Sequence, residues 1–307
     1  MFTKVMIATD SSPASLAVIS CAGALRKLGV QECVLAQCFL IREIVPFPDQ
    51  IKAHIEETLE QQRVTLKEHG IRTSIVVEPG YPAKEIPRIA LDEGCSLIVA
   101  GSHGQNLARE MFLGGTATEL LHQAKLPTLI IRLKTDSKTG RAVVARKTRD
   151  FKRHLLFATD FSEHADQAFD SVRTLVAAGT DQVTLLHVQN KATLEDHLKE
   201  RLDEFNAIDR ERLEAMKEKL TAVGNASVEI RIPFGSPTEE ILRCSQKINA
   251  SLIVMGSHGR GYISELFLGS VSHNVARHSE APILLIPLLL ADSSRVGMEL
   301  AHTDRRR

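Results

Sequence analysis

The residues of this chain best suited to chemistry are an aspartate, a set of spaced glycines and two serines. Asp160 ends a short apolar run. Gly256-Ser257-His258-Gly259 is followed, after nine residues, by Gly269-Ser270-Val271-Ser272. Glycines let the backbone approach a ligand and take positive φ without a Cβ penalty. The second glycine cluster opens an expected helix over 271–278, where unpaired N–H groups and the positive dipole end attract anions. Ser270 and Ser272 can donate hydroxyl hydrogen bonds to phosphate oxygens. Asp160 can accept from a sugar hydroxyl or help hold a hydrated metal ion, and it can equally cap the helix that follows. Together these groups read as a cradle for a polyphosphate. His258, like His103 in a similar loop, sits beside a glycine with no Cys or acidic cluster at metal-ligand spacing. A loop-stabilising or phosphate-proximal role therefore suits it better than general base catalysis.

These motifs depend on strands and helices to bring them together. Apolar strand-like runs are expected at 154–158, 182–188, 227–232, 251–255 and 282–286, with helical stretches between them. Continuous apolar runs alternating with helices specify a parallel sheet covered on both faces. In such sheets ligands bind beyond the carboxyl ends of the strands, where the winding reverses. The aspartate after the first strand and the glycine loop after the fourth both fall there.

The same order occurs earlier in the chain. Ala8-Thr9-Asp10 matches Ala158-Thr159-Asp160, and Gly101-Ser102-His103-Gly104 matches Gly256-Ser257-His258-Gly259. Phe112-Leu113-Gly114 matches Phe267-Leu268-Gly269, and Gly80-Tyr81-Pro82 matches Gly235-Ser236-Pro237. Strands are expected at 4–8, 33–39, 71–77, 96–100 and 127–131, and helices at 14–28, 51–69, 83–92 and 116–124. The chain thus divides into a first domain (1–133), a basic linker (134–150), a second domain (151–290) and a tail (291–307).

The 307 residues suit two domains of ordinary size, and 38 basic residues balance 38 acidic ones. No global field draws the protein toward nucleic acid or an anionic membrane. Aromatic residues make up 4% of the chain and tryptophan is absent, so stacking platforms for single strands are hard to assemble. No apolar run has membrane-spanning length, and no signal-peptide pattern is expected. The five scattered cysteines (Cys21, Cys33, Cys38, Cys95 and Cys244) argue for a reducing cytoplasm, with burial favoured over redox sensing at Cys33 or Cys38. No Walker-type Gly-Lys-Ser/Thr occurs.

The glycine spacing into Gly269-Ser270, the Ala158-Thr159-Asp160-Phe161-Ser162 strand end, Leu185-Leu186-His187-Val188 and Ala281-Pro282-Ile283-Leu284-Leu285-Ile286 resemble the universal stress protein family. The resemblance covers nearly the whole chain apart from linker and tail. It implies two tandem, doubly wound, Rossmann-like α/β domains of the adenine nucleotide alpha hydrolase-like kind, each with five parallel strands in order 3-2-1-4-5. It also implies an adenine nucleotide, ATP with or without Mg2+, as ligand. By match, Asp160 and Val188 border the nucleoside, while Gly256, His258, Gly259 and Arg260 with Gly269, Ser270, Val271 and Ser272 hold the phosphates. Ala158, Thr159 and Met255 join them as cofactor-binding residues. It further suggests that the last strands of the two halves pair as an internal pseudo-dimer. Homodimerisation and the protein partner are left open.

The first half keeps Asp10, Gly101, Gly104 and Gly114. Gly115 replaces the first serine, however, Ala117 replaces the second, and Gln37-Cys38 replaces His187-Val188. Thr116 stands beside the lost hydroxyls as a substitute. The expectation is a cytoplasmic, ATP-binding stress or signalling protein with its better site in the second half. A slow ATPase or phosphotransferase using Asp160 and magnesium is one alternative, and a nucleotide-independent interaction module is another.

Overall fold

The computed structural model describes residues 2–40, 48–104, 113–146, 149–190, 202–259 and 268–288. Arg260, Phe112, Phe267, the start of the helical stretch expected from Leu194, and the tail lie outside them.

The first half runs β1 (Lys4–Ala8), α1 (Pro13–Ile19), α2 (Ala22–Lys27), β2 (Glu32–Phe39), α3 (Pro48–Glu68), β3 (Arg72–Pro79), α4 (Pro82–Asp92), β4 (Leu97–Gly101), α5 (Gly115–Gln123) and β5 (Thr128–Ile131). A hairpin of β6 (Leu133–Thr135) and β7 (Ala142–Val144) leads into the second half. That half comprises β8 (His154–Ala158), α6 (Glu163–Ala177), β9 (Gln182–Leu186), β10 (Gln189–Asn190), α7 (Leu202–Thr221), β11 (Ser227–Arg231), β12 (Phe234–Gly235), α8 (Pro237–Lys247), β13 (Leu252–Gly256), α9 (Ser270–His278) and β14 (Ile283–Ile286).

All ten long strands join one sheet in the order β11-β9-β8-β13-β14-β5-β4-β1-β2-β3. Within each half the order is 3-2-1-4-5 and the strands are parallel. The halves meet where β14 pairs antiparallel with β5, Leu284 opposite Leu129. Fully buried runs such as 97–100 and Leu252–Gly256 are apolar on both sides because helices cover both faces of the sheet. The alternate side chains form two apolar layers, one containing Val5, Val99, Leu155 and Val254, the other Met6, Ile98, Leu156 and Ile253. Each layer runs through both halves.

Three features differ from the sequence reading. The helix expected over 14–28 is broken at Ser20 and Cys21: Ser20 Oγ donates to the Ala17 carbonyl at 2.6 Å, and Cys21 N–H donates to Val18 in a tighter turn. Its counterpart α6 runs unbroken. The expected solvated linker contains the β6–β7 hairpin, with Leu133 and Val144 buried. Asp136 Oδ1 accepts from the amides of Lys138 and Thr139 to make its turn. Arg146, far from solvated, donates to the Ser245 and Ala250 carbonyls at the end of α8. Finally, the strand expected over 182–188 stops at Leu186, and Gln189–Asn190 pairs separately with Phe234–Gly235.

Candidate functional site at the carboxyl ends of the strands

Strands one and four are neighbours in both halves: β1 pairs with β4 and β8 with β13. The aspartate and the glycine loop therefore meet at one end of the sheet, as the winding requires. In the second half, Asp160 Oδ1 accepts from Ser162 N–H at 3.1 Å and Ser162 Oγ at 2.6 Å. Ser162 in turn caps α6 by accepting from Ala165 N–H. Thr159 Oγ1 accepts from Phe161 N–H at 3.0 Å, and Phe161 takes a φ of 59°. A bulky residue rarely occupies that left-handed region; the two side-chain bonds on either side over-determine the turn. The other carboxylate oxygen, Oδ2, faces the glycine loop: a Cβ on Gly259 would stand 2.6 Å from it. A side chain at 259 would therefore have to displace the aspartate or the loop.

The loop is closed on itself. Gly269 N–H donates to the Ser257 carbonyl at 2.9 Å, and Ser257 N–H donates to Ile286 in β14. Ser257 Oγ lies 2.8 Å from His258 Nδ1. A Cβ on Gly269 would stand 3.2 Å from both His258 Cα and the Ser257 carbonyl. Gly269 is the N-cap of α9, and no side chain caps that helix. The leading N–H groups of Ser270 and Val271 therefore have no partner inside the helix, and Ser270 is exposed beside them. Ser272 is placed differently from its sequence reading. It is buried, and its hydroxyl donates to the Gly256 carbonyl at 2.8 Å, bracing helix to loop. Ala158, Thr159 and Met255 are also buried, with Ala158 and Met255 in the core, while Val188 is half-buried against the same layer.

Sequence reasoning missed a polar cluster beside this end of β8. His187 Nδ1 donates to the Thr159 carbonyl at 2.8 Å, and its Nε2 lies 3.4 Å from Asp209 Oδ2. Gln189 also donates to Asp209. The Phe161 ring stacks on His187 with centroids 4.6 Å apart, and the Arg212 guanidinium sits 5.2 Å from the Phe161 centroid. The signal available in the sequence was His187 itself, matched by Gln37 in the other half. His164, on the first turn of α6, packs its ring 4.9 Å from His258. Burial holds its pKa below the usual histidine value, against the opposing pull of Glu163 and Asp160.

The first half repeats the backbone frame. Asp10 Oδ1 accepts from Ser12 N–H and Ser15 Oγ, Ser11 takes a φ of 59°, and Asp10 Oδ2 would meet a Cβ on Gly104. Gly114 N–H donates to Ser102, and Gly114 is an N-cap without side-chain help. A Cβ on Gly101 would crowd Leu133, Val18 and the His103 carbonyl at 3.0–3.1 Å, but one on Gly115 would meet nothing within 4 Å. Thr116 is exposed, and Ala117 is buried where Ser272 makes its brace.

The sequence profile described as the universal stress protein family matches residues 1–132 and again 152–287. The chain belongs to the universal stress protein family. A universal stress protein of Methanocaldococcus jannaschii is 31% identical over 151 residues, covering 43% of this chain and 93% of that protein. One from Mycolicibacterium smegmatis is 24% identical over 302 residues, covering 92% of this chain and 96% of its own length. The crystal structure of a universal stress protein from Archaeoglobus fulgidus superposes with a TM-score of 0.68 at 24% identity, covering 93% of this chain and 97% of that one. The tandem universal stress protein fold is thus shown along the chain. Among the described residues no helix is long and apolar enough to cross a membrane.

Proposed function

We propose that this universal stress protein is a cytoplasmic, adenine-nucleotide-binding regulator of a stress response, with ATP held mainly in the second half. The observation that carries this reading is the junction of Gly259 and Gly269 with the uncapped start of α9, opposite Asp160. Residues present there fit a nucleotide. Gly256, Gly259 and Gly269 keep side chains out of the loop, the leading amides of Ser270 and Val271 suit phosphate oxygens, and Ser270 adds a hydroxyl. Asp160 and Val188 stand on the nucleoside side, and Ser272 keeps the loop in place from behind. Any Mg2+ would travel with the phosphates, since among the described residues no group of three His, Cys, Asp or Glu side chains could hold a metal ion.

A second reading, a nucleotide-independent interaction module, is favoured by one observation: the Asp–Gly contact recurs at Asp10 and Gly104, so the fold alone gives a reason for that glycine. Calorimetric titration of the full chain with ATP separates the two. Binding that weakens about tenfold in Ser270→Ala, the worth of one hydrogen bond to a charged group, and is lost in Gly259→Val supports the nucleotide site. Unaltered binding in both variants, or none in the unmodified chain, overturns it.

A further inference from the structure

The glycine loop of the second half is held in part by the first half. Leu268, the residue before the N-cap of α9, is buried and donates its N–H to Nδ1 of His122 at 3.0 Å. His122 stands in the last turn of α5, on the other side of the β5–β14 junction, 146 residues away in sequence. A buried amide at this point has no helix or strand partner and needs an acceptor. The next amide, of Gly269, is pinned to Ser257 within its own loop. The exit of the loop into α9 is therefore fixed by two consecutive bonds, one local and one from the other domain. The His122 ring also lies 6.4 Å from that of His273, one turn into α9.

We propose that His122 is a positioning residue for the second-half nucleotide loop, acting across the domain junction. This rests on the nucleotide reading above. The two halves differ at this position. By the offset that matches the glycine loops, the counterpart of Leu268 is Leu113 and that of His122 is Arg277. An arginine has no acceptor atom, so it cannot return the same bond to the amide of Leu113. The first half, which lacks the two serines, thus carries an acceptor side chain where the second half carries an arginine.

The test uses the full chain. Amide hydrogen exchange at Leu268 is followed without nucleotide, ATP affinity is measured by calorimetry, and 8-azido-ATP labelling assigns the site. His122→Ala is expected to speed Leu268 exchange about tenfold and to weaken second-half ATP binding by a similar factor. His122→Gln, whose amide oxygen can accept, is expected to restore both in part. Unchanged Leu268 exchange in His122→Ala overturns the tie, and a Gln variant as loose as Ala overturns the acceptor role. A loosened Leu268 with unchanged ATP affinity overturns positioning while leaving the nucleotide site intact. If the unmodified chain binds no ATP, the nucleotide reading falls and the positioning role with it, and Leu268 exchange alone then decides whether the structural tie exists.

Discussion

Asp160 Oδ2 occupies the space that a Cβ at Gly259 would need, with only 2.6 Å between the two positions. The carboxylate that shapes the turn into α6 therefore also crowds position 259 in the loop after β13. Gly259→Ala must push the loop or the aspartate aside. The expected cost is about 1–3 kcal/mol, the usual range for overpacking, read as a lower urea midpoint, together with weaker ATP binding. Gly115→Ala, with open space around its Cβ, is expected to leave the unfolding free energy within about 0.5 kcal/mol of the original.

The Ser272 hydroxyl bonds the Gly256 carbonyl from a buried position. Ser272→Ala removes the donor and leaves that carbonyl short of a partner, so a loss of about 1–3 kcal/mol is expected in denaturant unfolding. Ser272→Thr, which keeps a hydroxyl, tests whether the bond rather than the volume matters.

The proposed preference for the second half can be tested by the same logic. In a Gly115→Ser, Ala117→Ser double variant, the first hydroxyl enters open space and the second stands where Ser272 makes its brace. Nucleotide labelling of first-half peptides is expected to rise several-fold. No gain in labelling would show that the missing serines do not limit nucleotide binding in the first half.

His164 and His273 are both held below the ordinary histidine pKa of 6.5, chiefly by burial. Each then binds protons more readily when unfolded than when folded. Their contribution to stability is complete above pH 6.5 and is lost as the pH falls through the lowered folded values. Unfolding free energy is expected to drop between pH 7 and pH 5, with a shallower slope in His164→Gln. An unchanged slope in that variant would remove His164 from the account.

The thiols are poor nucleophiles in the native state. Burial pushes Cys21 and Cys95 up to about 11 and, with Glu85 and Glu78 adding to it, Cys38 up to about 12; Cys33 is raised further still. A colorimetric thiol reagent at pH 7.5 is expected to react slowly with native protein and with all five cysteines after unfolding. Fast native labelling at Cys38 would revive a redox role for it.

Much of the fold was legible because buried parallel strands leave apolar runs such as Leu252–Met255, and glycines mark where helices end. Both strand-end motifs were legible for the same reason. The β6–β7 hairpin was not, since its charges read as a solvated linker while only Leu133 and Val144 carry its burial. Ser272 was read as a ligand donor because a hydroxyl at a helix start suits either role; only its burial shows that it braces the loop. The Asp209–His187 pair was hidden because Asp209 sits in a charge-rich helix that reads as a wet face. The His122–Leu268 bond joins residues far apart in sequence and lies beyond any local pattern.

The pairing of β14 with β5 has a consequence for how the protein is made. A ribosome releases the first half well before β14 exists, and for that interval β5 presents an open row of backbone donors and acceptors beside Leu129 and Ile131. Such an edge invites pairing with another nascent chain. In the full chain β14 covers that edge, and chains truncated between the halves are expected to pair through β5 with another copy or to aggregate.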